Sequence, residues 1–94
     1  PLALKHQTQA QAVVRIWRRI QAARAAGDML GFSRLITWLM NRIDAGDITD
    51  TEARTAFNAV YGRTLTAAQW NTVKSSRLTA IRTRYQAMMS EADL

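Results

Sequence analysis

The carboxylates of this chain are concentrated in one short segment, Asn41-Arg42-Ile43-Asp44-Ala45-Gly46-Asp47-Ile48-Thr49-Asp50-Thr51-Glu52. Read as a twelve-residue calcium loop, it has glycine at position six, isoleucine at eight and glutamate at twelve. Positions three and five are Ile43 and Ala45, which offer no side-chain oxygen, so a cation would lose two ligands of its shell. The same letters suit a helix stop at Gly46 followed by acids favoured at the next helix N-terminus. No metal site is expected. His6 is the single histidine and has no glutamate or second histidine four residues away, so it fits no zinc helix. Ser33, Ser75, Ser76 and Ser90 lie in no nucleophile elbow, and there is no cysteine. Without a base, a nucleophile or a free carboxylate pair, the chain reads as a non-enzyme with no cofactor and no small-molecule substrate.

Arginine carries the remaining chemistry. Eleven of the thirteen basic residues are Arg, against seven acids, for a net charge of +6. Residues 1–27 and 63–84 contain bases and no acid, a distribution suited to a polyanion or an acidic protein surface. Arg15, Arg18 and Arg19 share an arc of about 100° opposite the apolar face of their helix. With Lys74 and Arg82 they form the candidate phosphate-binding set. Trp38 lies outside the apolar stripe of its helix with Arg34 and Arg42 one turn away on either side, a composition typical of protein interfaces. Farther on, Trp70, Val73, Leu78, Ile81, Tyr85 and Met88 form a stripe with Lys74, Arg77 and Arg84 inside it or at its rim. The opposite face, from Gln69 through Ser75 and Ser76 to Gln86, is uncharged. That allocation suits a surface meeting a partner, so Arg34, Trp38, Arg42, Trp70, Arg77, Arg84 and Tyr85 are the candidate partner-binding residues.

Four helices must position these groups. Thr8 to Ala26 places Ala10, Val13, Ile16, Trp17 and Ile20 on one face, and Gly27-Asp28 ends one helix and caps the next. Met29 to Ile43 carries a wide stripe of Met29, Phe32, Leu35, Ile36, Leu39, Met40 and Ile43. Thr49 with Glu52, and Thr66 with Gln69, have capping-box spacing and start a short third helix, ending near Gly62, and a long fourth that runs to about Met89. A helix-turn-helix reading of the last two fits poorly, because the would-be recognition helix begins Ala67-Ala68-Gln69-Trp70 and meets its first base only at Lys74. The expectation is therefore an all-α fold: one domain over 1–94, a compact bundle of four helices, two long and two shorter, with 1–7 as a loosely ordered arm. Sixteen alanines, one proline and four glycines fit such a core.

The phrases Ala45-Gly46-Asp47-Ile48-Thr49-Asp50 and Leu65-Thr66-Ala67-Ala68-Gln69-Trp70-Asn71 resemble short stretches in structural proteins of tailed bacteriophages. The resemblance covers about a seventh of the chain and implies a small virion or assembly component held in many copies. The function expected is a non-enzymatic helical assembly or adaptor protein binding copies of itself or a larger protein. The alternatives are nucleic-acid binding through phosphates and inhibition of a host protein. No apolar run approaches the roughly 18 residues of a membrane span, and Pro1-Leu2-Ala3-Leu4-Lys5 is too short for a signal-peptide core, so a cytoplasmic or virion location is expected, with no membrane partner.

Overall fold

Both threonine capping boxes form as their spacing dictates. The Thr49 hydroxyl accepts from the Glu52 backbone N–H while the Glu52 carboxylate accepts from the Thr49 N–H, and Thr66 and Gln69 make the same reciprocal pair. The computed structural model describes the backbone over 2–92 and side chains over 8–91. Its elements are α1 (Leu2–Ala25), α2 (Met29–Asp44), α3 (Asp50–Tyr61), α4 (Ala67–Val73), a π-helical turn (Lys74–Leu78) and α5 (Thr79–Ala92). The last three follow without a break, so the chain builds an all-α bundle of four helices, with no strand among the described residues. The side chains of 1–7, where an arm was expected, lie outside the described set, as does that of His6. Overall the molecule measures 47 × 27 × 25 Å, an elongation that follows from long helices packing against shorter ones.

Helix ends are set by local chemistry. Asp28 accepts from the Gly31 N–H at 2.9 Å and starts α2. Gly62 ends α3 at φ +63°, a left-handed conformation in which a Cβ would be strained. The connection to α4 is then clamped by α3 itself. Asn58 pairs with both backbone groups of Leu65, and Arg54 donates to the same Leu65 carbonyl. A turn held by three side-chain contacts fixes where Thr66 starts the next helix.

The core gathers around Trp17. Val13, Trp17 and Ile20 of α1 are buried with Ile36, Leu39, Met40 and Ile43 of α2, Ala53 and Ala56 of α3, and Trp70 and Leu78 of the fourth helix. Ala53 and Ala56 explain the close approach of α3, since small side chains leave room for the indole. Trp17 donates its Nε1–H to the Ala53 carbonyl at 3.0 Å, which satisfies the one polar atom of a fully buried ring. Its ring meets Phe57, Tyr61 and Trp70 edge-on, at centroid distances of 5.0, 6.0 and 6.1 Å. No described buried side-chain nitrogen or oxygen lacks a partner.

The fourth helix departs from the expected continuous α-helix. Its hydroxyls compete with the backbone ladder: Ser75 and Ser76 both donate to the Thr72 carbonyl, and the Thr79 N–H and hydroxyl both reach the Lys74 carbonyl five residues back. Side-chain insertion of this kind widens a turn. The widening also answers a packing demand. Val73 and Leu78 are five residues apart, which in an unbroken α-helix would rotate Leu78 about 140° from Val73. The π turn returns Leu78 to the core side, where it is 6% exposed.

Expectations at three residues are corrected here. Trp70 is a core residue, 1% exposed, and cannot anchor a partner; its place at the start of the fourth helix, over α3, buries it against Trp17 and Phe57. Met29, assigned to the core stripe of α2, is the first residue of that helix and is 56% exposed, and Ala10 of the α1 stripe is also exposed.

Urea unfolding checks this packing. Trp17→Ala is expected to cost about 3–5 kcal/mol, from the lost ring and the cavity left. Thr49→Ala and Thr66→Ala are expected to cost about 1 kcal/mol each, and to add when combined because the two caps share no partner.

Candidate interaction surfaces

Ion pairing within the chain decides which charges are left without an internal partner. Asp47 binds Arg42 at 2.8 Å, Asp50 binds Lys74 at 2.8 Å, and Asp44 binds Arg82, which also donates to Asn41. Asp28 caps α2, and Glu52 caps α3 while accepting from Gln9 of α1. The acidic segment thus works as an internal clasp joining α1, α2, α3 and the fourth helix. In it, each acid that the calcium-loop pattern would need is already engaged, and the described residues hold no cluster of three or more metal-ligating side chains. Arg15, Arg18, Arg19, Arg24, Arg34, Arg63, Arg77 and Arg84 are exposed and make no ion pair among the described residues.

Asp50 is the busiest of the acids. One oxygen accepts from Lys74 Nζ and from the Trp70 Nε1–H, both at 2.8 Å. The Lys74 ammonium first, then the Trp70 indole, holds this carboxyl below the ordinary aspartate range, against a smaller upward push from burial. Lys74 and Arg82, expected to bind phosphate, are half-buried and already paired with acids within the chain, unlike the exposed Arg15, Arg18 and Arg19.

The remaining candidates divide among three places. Trp38 is 47% exposed on α2. It stands beside an open groove of about 420 Å³ between α1 and α2, whose walls include Ala12, Val13, Ile16, Arg42 and Ile48. Arg34 is exposed one turn before Trp38, and Arg42 is held over the groove by Asp47. Arg84 and Tyr85 lie elsewhere, in a hollow of about 510 Å³ between the start of α2 and α5 with Met29, Leu30 and Met88, which are 56, 53 and 44% exposed. Arg77 occupies a third site, with Arg24 and Arg63, over the aromatic core. Arg15 and Arg18 border a shallow hollow on the outer face of α1, and Arg19 is exposed next to them.

Sequence reasoning missed the apolar floor beside Trp38 and the exposed Met29-Leu30-Met88 patch. Ile16 and Met29 belong to the apolar stripes of α1 and α2, so periodicity assigns them to the core while tertiary packing leaves them at its margin; Leu30 lies outside the stripe of α2. Arg24 and Arg63 carried no local signal. The chain matches no family model, no curated protein and no solved structure. No helix among the described residues is long and apolar enough to cross a membrane.

Asp50 gives this clasp a pH dependence. Because its folded pKa lies below the ordinary value near 3.8, its stabilising contribution is present above that pH and disappears as pH falls through the folded pKa. Asp50→Asn should be less stable than the unmodified chain at pH 7. That deficit should shrink toward zero in denaturation midpoints measured at successively lower pH, below the ordinary value.

Proposed function

We propose that this chain is a non-enzymatic helical assembly or adaptor protein that docks on a protein partner through Trp38 and the apolar groove between α1 and α2. The observation that carries this reading is the half-exposed Trp38 beside an apolar groove of about 420 Å³, flanked by Arg34 and Arg42. A large aromatic ring left at a groove mouth offers the kind of anchor that dominates protein interfaces, and arginine is enriched beside such anchors. Charge selects the partner's character. Asp47 at the groove is paired with Arg42, while eight exposed arginines make no ion pair among the described residues, so an acidic rim on the partner is complementary and a second copy would bring arginine against arginine. A larger protein is therefore favoured over a homo-oligomer. A place in a virion or in the cytoplasm, suggested by the short phrases shared with tailed-phage structural proteins, belongs to the same proposal.

Photo-crosslinking from position 38 in the producing cells, with position 19 as control, identifies the partner, and titration of the purified pair tests the anchor. Trp38→Ala is expected to weaken association by about 2 kcal/mol or more without lowering the unfolding midpoint. Unchanged association together with a lowered midpoint would make Trp38 a packing residue and end the reading.

A second reading, contact with nucleic-acid phosphates, is favoured by the exposed and unpaired Arg15, Arg18 and Arg19. If it holds, changing all three to Gln should reduce the salt slope of duplex binding by up to about three contacts' worth. No binding by the unmodified chain at low salt would remove it.

A further inference from the structure

Three arginines from three separate elements meet at one opening in the fold. Arg24 lies in the last turn of α1, Arg63 follows the left-handed Gly62 at the end of α3, and Arg77 lies in the π turn. Together they rim a cleft of about 160 Å³ whose apolar floor is made by the partly buried Phe32, Phe57, Tyr61, Val73 and Ile81, with the buried Trp17 and Leu78 directly behind them. No acidic side chain lines the cleft, and none of the three arginines has an ion pair or hydrogen bond from its side chain among the described residues. Arginines at helix C-termini are ordinarily explained by the free carbonyls there. Arg24 and Arg63 donate to none of them, and Arg77 is not at a helix end, because the fourth helix continues through α5. The π turn matters to the arrangement: its added residue sets Leu78 behind the floor and leaves Arg77 at the rim.

We propose that this cleft is a binding site for a small organic anion, one aromatic ring or branched alkyl group carrying a single carboxylate or phosphate. Size and charge argue together. An apolar cavity of about 150 Å³ is enough to hold benzene, so the floor accommodates one ring-sized body and not a larger one. The guanidinium groups above it match carboxylate and phosphate oxygens in pairs, and an anion placed among them relieves the mutual repulsion of three like charges. The phenol of Tyr61 reports the same setting. Burial raises its pKa and the Arg24 charge partly opposes that rise, so Arg24 acts electrostatically on the cleft wall. This site is distinct from the Trp38 groove and does not depend on the function proposed above.

Phenyl phosphate and benzoate are the probes, titrated into the intact chain at moderate salt and followed by amide and indole chemical shifts. Inorganic phosphate supplies the charge without the ring, and phenol the ring without the charge. At least one of the two aryl anions should bind saturably at one site, shifting Trp17 and Leu78 resonances, at least tenfold more tightly than either control. Which of them does so separates a phosphate from a carboxylate ligand. Arg63→Gln and Arg77→Gln, both at exposed positions, should each weaken binding tenfold or more with an unchanged circular dichroism spectrum. Changing Arg15, Arg18 and Arg19 to Gln should leave it unaltered. The proposal is overturned if neither aryl anion saturates in the millimolar range, if inorganic phosphate binds equally well, or if the α1 triple variant weakens binding as much as the rim variants do.

Discussion

The fold depends on seating one indole. Trp17 is, with Trp70, one of the two largest fully buried side chains, and its Nε1–H must find an acceptor where water cannot reach. The Ala53 carbonyl provides it at 3.0 Å, which fixes the distance between α1 and α3 and requires a small residue at the contact. Phe57, Tyr61 and Trp70 then close around the ring at edge-on angles of 72–85°. Through Trp70 the constraint reaches the fourth helix. Trp70 has its own N–H to satisfy and takes Asp50, so the start of α3 and the start of α4 are tied by one carboxylate. Two indoles with two different acceptors thus set the relative positions of three helices.

Charge follows from that arrangement. Asp28 and Glu52 are used as helix caps, and Asp50 both holds the Trp70 indole and pairs with Lys74. Asp44, Asp47 and Asp50 each neutralise a base within the chain, and the arginines of α1 and of the cleft rim are left facing solvent. Each pair removes one charge of either sign, so the formal charge of +6 stays on the molecule and is carried by its unpaired, exposed arginines. This is the physical reason for reading its surfaces as places for acidic or anionic partners.

Much of the framework is local and was therefore legible in the letters. Thr49 with Glu52, Thr66 with Gln69, and the glycines at 27, 46 and 62 bound three helices before any contact is known. What was not legible is the choice among tryptophans. Trp38 and Trp70 both lie near arginine or lysine in sequence, and only the position of α4 over α3 buries one while the other stays half exposed. The π turn left a trace, the five-residue gap between Val73 and Leu78, and a cluster of Ser and Thr hydroxyls around it. The convergence of Arg24, Arg63 and Arg77 left none, because three residues spread over 54 positions meet only through tertiary packing.

The central claim is that the three tryptophans divide into two structural indoles and one surface indole, and hydrogen exchange at the indole N–H groups reads that division directly. In the isolated chain, Trp17 and Trp70 are bonded to Ala53 and Asp50, whereas Trp38 has no described acceptor and is 47% exposed. The account predicts strong protection at Trp17, approaching that of global unfolding, clear protection at Trp70, and exchange at close to the free-indole rate at Trp38. Protection of Trp38 equal to that of Trp17, or rapid exchange at Trp17 or Trp70, would contradict it.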